Sequence, residues 1–130
     1  MPGRNVLLSA KAAVWCRMRE VEALCFGTLA ANPHPDSGGE FFRALEAVLN
    51  TALEGNLRIL RPFAALSKAE VIRRGAGLPL HLTFSCVDPV GGQPCGVCIK
   101  CGERRKGFRA AGCPDQTAYA AAEANAPSRP

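Results

Sequence analysis

Cys86, Cys95, Cys98 and Cys101 fall within sixteen residues, the last three as two overlapping C-x-x-C steps. Thiolates at that spacing converge because a tight turn points both sulfurs to one side, and a second step sharing the middle cysteine wraps the same centre. Gly96 follows Cys95, where such turns need positive φ or close backbone approach. The four cysteines therefore read as one tetrahedral zinc site. Zinc held by four thiolates carries net negative charge, and Lys100, Arg104, Arg105 and Lys106 stand close by in sequence to offset it. Four protein ligands leave no open position, so the metal is expected to staple the chain rather than activate water. The rival readings are weaker. A disulfide framework needs an oxidising compartment. A redox C-x-x-C would leave Cys86 and Cys101 idle, and the spacing fits neither common ferredoxin pattern.

The rest of the composition agrees with a metal-stapled soluble domain. A chain of 130 residues suits one core just large enough to stand alone. Met1 to Asn5 lacks the basic-then-apolar order of a signal peptide, and no apolar run approaches membrane-spanning length. Seven cysteines, an odd number, sit best in a reducing cytoplasm. Cys16, Cys25 and Cys113, left over from the metal set, read as small buried side chains. A net charge of +5 is mild for this length. The basic cluster at 100–106 has only Phe108 as a neighbouring aromatic, so nucleic-acid binding is not expected.

Apolar residues Val6, Leu7, Ala10, Val14 and Met18 recur at helical spacing and predict a helix over 4–19. Val21 to Leu29 is short and mostly apolar, as a buried parallel strand would be. Ala30 to Gly39 is a loop by its Pro, Asn, Asp and Gly content. Phe41, Phe42, Leu45, Val48, Leu49 and Leu53 give a second helix, closed at Gly55. Leu57 to Leu60 predicts a strand stopped by Pro62. Ser67 and Glu70 form a capping box for a helix to about Arg74. Leu78 to Phe84 reads as extended. Ile99 to Ala110 reads as a helix, Asp115 to Glu123 as another, and 124–130 as a disordered tail. Ser37-Gly38-Gly39 looks like the opening of a pyrophosphate loop, but no strand precedes it and Glu40-Phe41-Phe42 follow. Loop and helix N-cap is the expected role.

With these pieces in hand, the sequence resembles the second half of the 7-cyano-7-deazaguanine synthase family, QueC or ExsB-like. Five stretches carry the likeness in order. Met1-Pro2-Gly3-Arg4-Asn5 is similar to the family's Val-Pro-x-Arg-Asn. Pro35-Asp36 with Glu40-Phe41 is similar to its Tyr-Pro-Asp-Cys-Arg-x-Glu-Phe. Pro62 with Lys68-Ala69-Glu70-Val71-Ile72 follows its Pro and Lys-x-Glu-Ile. Thr83-x-Ser85-Cys86 with the cysteine cluster and Arg104 to Phe108 resembles the zinc segment, and Asp115-x-Thr117-x-Tyr119 its close. The chain departs from the pattern at His34, Ser37, Gly38 and Pro94.

The resemblance implies an α/β fold: a partial Rossmann-like (adenine nucleotide alpha hydrolase-like) parallel sheet with a C-terminal helical zinc-binding segment. Residues 1–85 would be the C-terminal part of the Rossmann-like domain, 86–123 the zinc-binding loop and helices, and 124–130 the tail. It implies a carbon–nitrogen ligase that converts 7-carboxy-7-deazaguanine and ammonia to the nitrile at the expense of ATP, with Mg2+, in queuosine-type biosynthesis. Arg4, Asn5, Lys68, Thr83 and Ser85 are the candidate substrate- or ATP-binding residues; no catalytic residue is assigned. The metal ligands are Cys86, Cys95, Cys98 and Cys101. The resemblance leaves room for a homodimer and gives no role to a membrane. The family's N-terminal Ser-Gly-Gly-x-Asp-Ser ATP loop is not found in these 130 residues. A truncated gene model or a true fragment, inactive alone and exposing apolar surface, is therefore expected. The alternative is a free-standing zinc ribbon that binds nucleic acid or protein.

Overall fold

A computed structural model describes residues 2–121, which cluster into two compact units divided between Ser67 and Lys68. The first holds helix α1 (Arg4–Met18), strand β1 (Ala23–Cys25), helix α2 (Gly39–Leu53) and strand β2 (Arg58–Leu60). The second holds α3 (Lys68–Arg74) and α4 (Ile99–Ala111). No helix among the described residues is long and apolar enough to cross a membrane.

The first unit is a β–α–β arrangement. β1 and β2 are parallel, with Ala23 opposite Arg58, Leu24 opposite Ile59 and Cys25 opposite Leu60. The α/β class and parallel sheet expected from the sequence are present, although β1 is far shorter than Val21–Leu29. Period-two alternation sends Leu24 and Ile59 to one face, where they pack on Ala13 and Cys16 of α1 and on Leu45, Leu49 and Leu53 of α2, with Leu57 beside them. On the other face Cys25, Arg58 and Leu60 are exposed.

The two margins of this sheet differ. Arg58 N–H donates to Glu22 O and Phe26 N–H to Leu60 O. Ala23 and Cys25 therefore turn their backbone groups away from β2. Across the sheet, the outward amide of Ile59 donates to the Glu46 carboxylate of α2.

α1 corrects a reading of the sequence. The apolar residues that mark the helix are not its buried face: Leu7 is 63% exposed, Val14 47% and Met18 76%. Asn5, Ser9, Ala13 and Cys16 are buried instead. This face is small enough for close approach, and its polar atoms are internally satisfied, with Ser9 Oγ donating to Asn5 O at 2.6 Å. A helix apolar on both sides does not announce which side is covered.

Asp36 completes the start of α1 from a distance. Its carboxylate accepts the Asn5 amide at 2.9 Å, and its carbonyl accepts Asn5 Nδ2 at 2.6 Å. An anion facing the first free amides of a helix is the favourable arrangement there.

Ser37-Gly38-Gly39 is the loop and helix N-cap expected above, with the cap at Gly38 and not at Ser37. The cap residue is Gly38 without a side-chain bond, while the Ser37 hydroxyl donates back to His34 O. At the other end of α2 the left-handed residue is Glu54 (φ 46°) rather than Gly55.

In the second unit the extended segment expected over Leu78–Phe84 contains a 3-10 turn at Leu80–Leu82. The Leu80 carbonyl is the cause: it accepts Thr83 N–H at 3.0 Å and Thr83 Oγ1 at 2.6 Å, which pulls the chain around. α3 packs on α4 at Gly107, where a Cβ would stand 2.9 Å from Ile72 Cδ1 and 3.2 Å from the Lys68 stem.

The helix expected at Asp115–Glu123 does not form over 115–121. Asp115 Oδ1 accepts Thr117 N–H at 3.1 Å, an Asx turn that competes with helix. Ala120 N–H then donates to Pro94 O at 2.9 Å, drawing the segment against the cysteine loop. Residues 122–123 of that expectation, and the 124–130 tail, lie outside the described residues.

Candidate metal centre

Three local structures bring the four sulfurs together. An extended segment delivers Cys86. The chain then reverses at the Val90–Gln93 bridge, closed by Gly91 (φ 56°) and Gly92 (φ 80°). Left-handed φ at both central residues is the two-residue hairpin geometry that glycine allows. Cys95 and Gly96 (φ 83°) turn the chain again. A Cβ on Gly96 would meet Ala121 O and Arg105 Nη2 at 3.2 Å, so both the angle and the space require glycine. Cys98 is the N-cap residue of α4 and Cys101 sits in its first turn.

The four Sγ atoms all lie within 4.8 Å of one another. The separations are 3.5 Å for Cys86–Cys95, 3.8 Å for Cys86–Cys98 and 3.5 Å for Cys98–Cys101. These are far too long for disulfides at about 2.05 Å. Sulfurs at about 2.3 Å around a tetrahedral ion would be roughly 3.8 Å apart, so the donor set fits a single metal ion such as zinc.

The electrostatics differ from the sequence expectation. Of the nearby cations, Lys100 pairs with Glu103 at 3.0 Å, Arg104 turns away toward Thr83 and Thr117, and Arg105 lies 4.2 Å over the Tyr119 ring. Backbone amides face the sulfurs instead. Asp88 N–H and Cys95 N–H approach Cys86 Sγ at 3.3 Å, and Cys98 N–H approaches Cys95 Sγ at 3.4 Å. The Val87 amide, followed by that of Cys101, lowers the Cys98 thiol to about 6, the behaviour expected of a cysteine at a helix start. Burial raises Cys101 to about 12. Metal binding by four thiolates releases the protons that the thiols carry.

The other candidates divide between the units. Arg4 opens α1 and is exposed; Asn5 is buried, with its amide nitrogens bound to Asp36. In the second unit Lys68 is the exposed first residue of α3. Thr83 and Ser85 are exposed immediately before Cys86. His34 and His81 are exposed.

The sequence reading missed how Asp115 ties this region together. It accepts Tyr119 OH at 2.7 Å and lies 3.6 Å from Arg104 Nε. The available signal was the Asp-x-Thr spacing of an Asx turn. Burial opposes ionisation of Asp115. The Thr117 and Tyr119 hydroxyls, the Thr117 amide and Arg104 outweigh it and hold the carboxyl below its ordinary value. Such a group adds stability above the ordinary carboxylate pKa, and that stability is lost as pH falls through the depressed one. Tyr119→Phe removes one donor. It is expected to cost about 1 kcal/mol at neutral pH and to start acid unfolding at a higher pH. Urea melts across the acid range and a carboxyl titration of Asp115 check both; an unchanged Asp115 midpoint would contradict the assignment.

Comparison with known proteins adds the following. The model of a family described as "Queuosine biosynthesis protein QueC" matches residues 1–112. A Syntrophus aciditrophicus protein named 7-cyano-7-deazaguanine synthase is 39% identical over 126 residues, covering 88% of this chain and 54% of the relative. One of the same name from Anaeromyxobacter sp. strain Fw109-5 is 40% identical over 128 residues, covering 92% and 55%. A third, from Ralstonia nicotianae, is 37% identical over 129 residues, covering 92% and 58%. The chain spans about half the length of the curated relatives it matches.

Proposed function

The chain belongs to the QueC family, and from that premise we propose that it supplies the metal-bearing part of a 7-cyano-7-deazaguanine synthase. The supporting observation is the convergence of Cys86, Cys95, Cys98 and Cys101 on one centre within the matched region. The proposed reaction is ATP-dependent: 7-carboxy-7-deazaguanine and ammonia give the nitrile. A carboxylate is a poor electrophile. Adenylation gives it a leaving group, ammonia then forms an amide, and a second activation lets the amide lose its oxygen.

Zinc, when bound, would serve as a closed structural ion on the four thiolates and would hold no reactant. The protein's own tasks are to hold the carboxylate near the α-phosphate and to balance the charge of departing pyrophosphate, with Mg2+. Arg4 and Lys68, both exposed cations, are the residues we assign to charge balance. Thr83 and Ser85, both exposed beside the metal loop, are assigned to the heterocycle. Asn5 is better suited to fixing the Asp36 loop on α1 than to touching substrate, because both its amide nitrogens are engaged. All seven cysteines are unpaired, which suits a reducing cytoplasm.

The nucleotide grip is assigned to family sequence beyond these residues. The test follows from that division. The metal-loaded chain, mixed with the nucleotide-binding half of a relative, ATP, Mg2+, ammonium and 7-carboxy-7-deazaguanine, should yield the nitrile by mass spectrometry. The chain alone should yield none. No product from the mixture, with both parts folded, would overturn the proposal.

One observation favours a second reading as a zinc ribbon that docks on another macromolecule. Phe84, Val87, Val90, Val97 and Ile99, all flanking the cysteines, are 54–76% exposed. RNA binding that weakens steeply with salt would support that reading instead.

A further inference from the structure

Arg104 is buried, at 6% exposure, one turn beyond Cys101 on α4. Each nitrogen of its guanidinium donates once: Nε to Thr117 Oγ1 at 2.9 Å, Nη1 to Thr83 Oγ1 at 2.8 Å and Nη2 to Leu80 O at 2.7 Å. The Asp115 carboxylate lies 3.6 Å away and the Phe108 ring centroid 5.0 Å away. Thr83 Oγ1 also lies 2.6 Å from Leu80 O. The chemistry of these groups fixes the direction of each bond. A guanidinium has no acceptor, so Thr83 must accept from Arg104. A carbonyl has no proton, so Thr83 must donate to Leu80. One lone pair of an exposed hydroxyl is then left for anything outside.

We propose that Arg104 is a positioning residue that makes the Thr83 hydroxyl an acceptor only, so that a ligand docking beside the metal loop must present an N–H or amino hydrogen to it. This deepens the functional reading above and rests on it. The substrate assigned there carries ring N–H and exocyclic amino donors on its guanine-like edge as well as a carboxylate. Thr83 would select the donor edge and reject the carboxylate, whose oxygens can only accept. Because Arg104 and Cys101 share one helical turn, the same guanidinium relates the orientation of Thr83 to the metal-held start of α4.

The test has two arms on metal-loaded protein. The first compares amide hydrogen exchange at Leu82 and Thr83 in the wild type and in Arg104→Lys, whose single ammonium cannot reproduce the fork. Exchange at least roughly tenfold faster in the variant is expected, with metal content and Gly102 protection retained. Equal exchange overturns the positioning role. If Arg104→Lys fails to load metal, Thr83→Val replaces it, and the same local loss is expected.

The second arm measures 7-carboxy-7-deazaguanine binding by calorimetry. Thr83→Ser should bind as the wild type does, whereas Thr83→Val should bind roughly tenfold or more weakly. Equal binding by Thr83→Val overturns the acceptor assignment. No binding by the wild type, with the exchange difference intact, overturns the ligand and the functional reading together while upholding the placement of Arg104.

Discussion

Cys101→Ser is expected to abolish metal loading and to unfold the unit that begins at Lys68. Cys101 is 1% exposed, so its replacement leaves a hydroxyl among three sulfurs with no soft ligand to complete the set. Among the described residues of this unit, the buried apolar side chains apart from the metal set are Phe108 and Ala111. That is too little apolar area to offset the ordering of some fifty residues. A structural zinc site contributes on the order of 10 kcal/mol of apparent folding free energy in small metal-held domains. The measurement pairs metal analysis with the far-ultraviolet signal of α4. Wild-type protein treated with chelator should behave in the same way. A serine variant that keeps a cooperative transition without metal would show that packing alone sustains the unit.

The other large effect lies in the first unit. Phe42→Ala is expected to cost about 3–5 kcal/mol, a substantial share of what so small a unit can have. Phe42 is 3% exposed, with the Phe26 centroid at 4.8 Å, the Phe41 centroid at 5.1 Å and the Arg61 guanidinium carbon at 5.3 Å. Removing the ring therefore creates a cavity and also leaves Arg61 without the face it lies over. Val48→Ala on the same helix serves as the control. At 63% exposure it should change stability by no more than about 0.5 kcal/mol. Denaturant melts of both variants decide the matter. A Phe42→Ala midpoint matching that of Val48→Ala would mean that the aromatic cluster carries no stability.

The cysteine constellation was legible because its logic is local. Residues 86–101 close on themselves through tight turns, and spacing alone reports that closure. The helices at Arg4–Met18, Gly39–Leu53 and Ile99–Ala111 were legible for a related reason, since 3.6-residue periodicity and glycine breaks act within a few turns. What the sequence concealed depends on partners far along the chain. The burial of Asn5 rather than Leu7 on α1 follows from the reach of Asp36, thirty-one residues away. The turn at Leu80–Leu82 forms around a carbonyl that also accepts a hydrogen bond from Arg104, twenty-four residues on. The segment after Asp115 gives up a helix partly for the bond from Ala120 N–H to Pro94 O, twenty-six residues back, which composition does not foretell. The cations near the sulfurs misled by proximity: Arg104 is held by Thr83, Thr117 and Leu80, and Arg105, although it reaches Gly96 of the metal loop, lies over the Tyr119 ring.

The unequal margins of the β1–β2 sheet distinguish its two flanks as places for a further strand. Along β2 the Ile59 amide is already spoken for by Glu46, whereas Ala23 and Cys25 present their backbone groups to the outside. Among the described residues, β1 is therefore the flank along which a further strand of the sheet could be added in register, while at Ile59 the amide is closed to one.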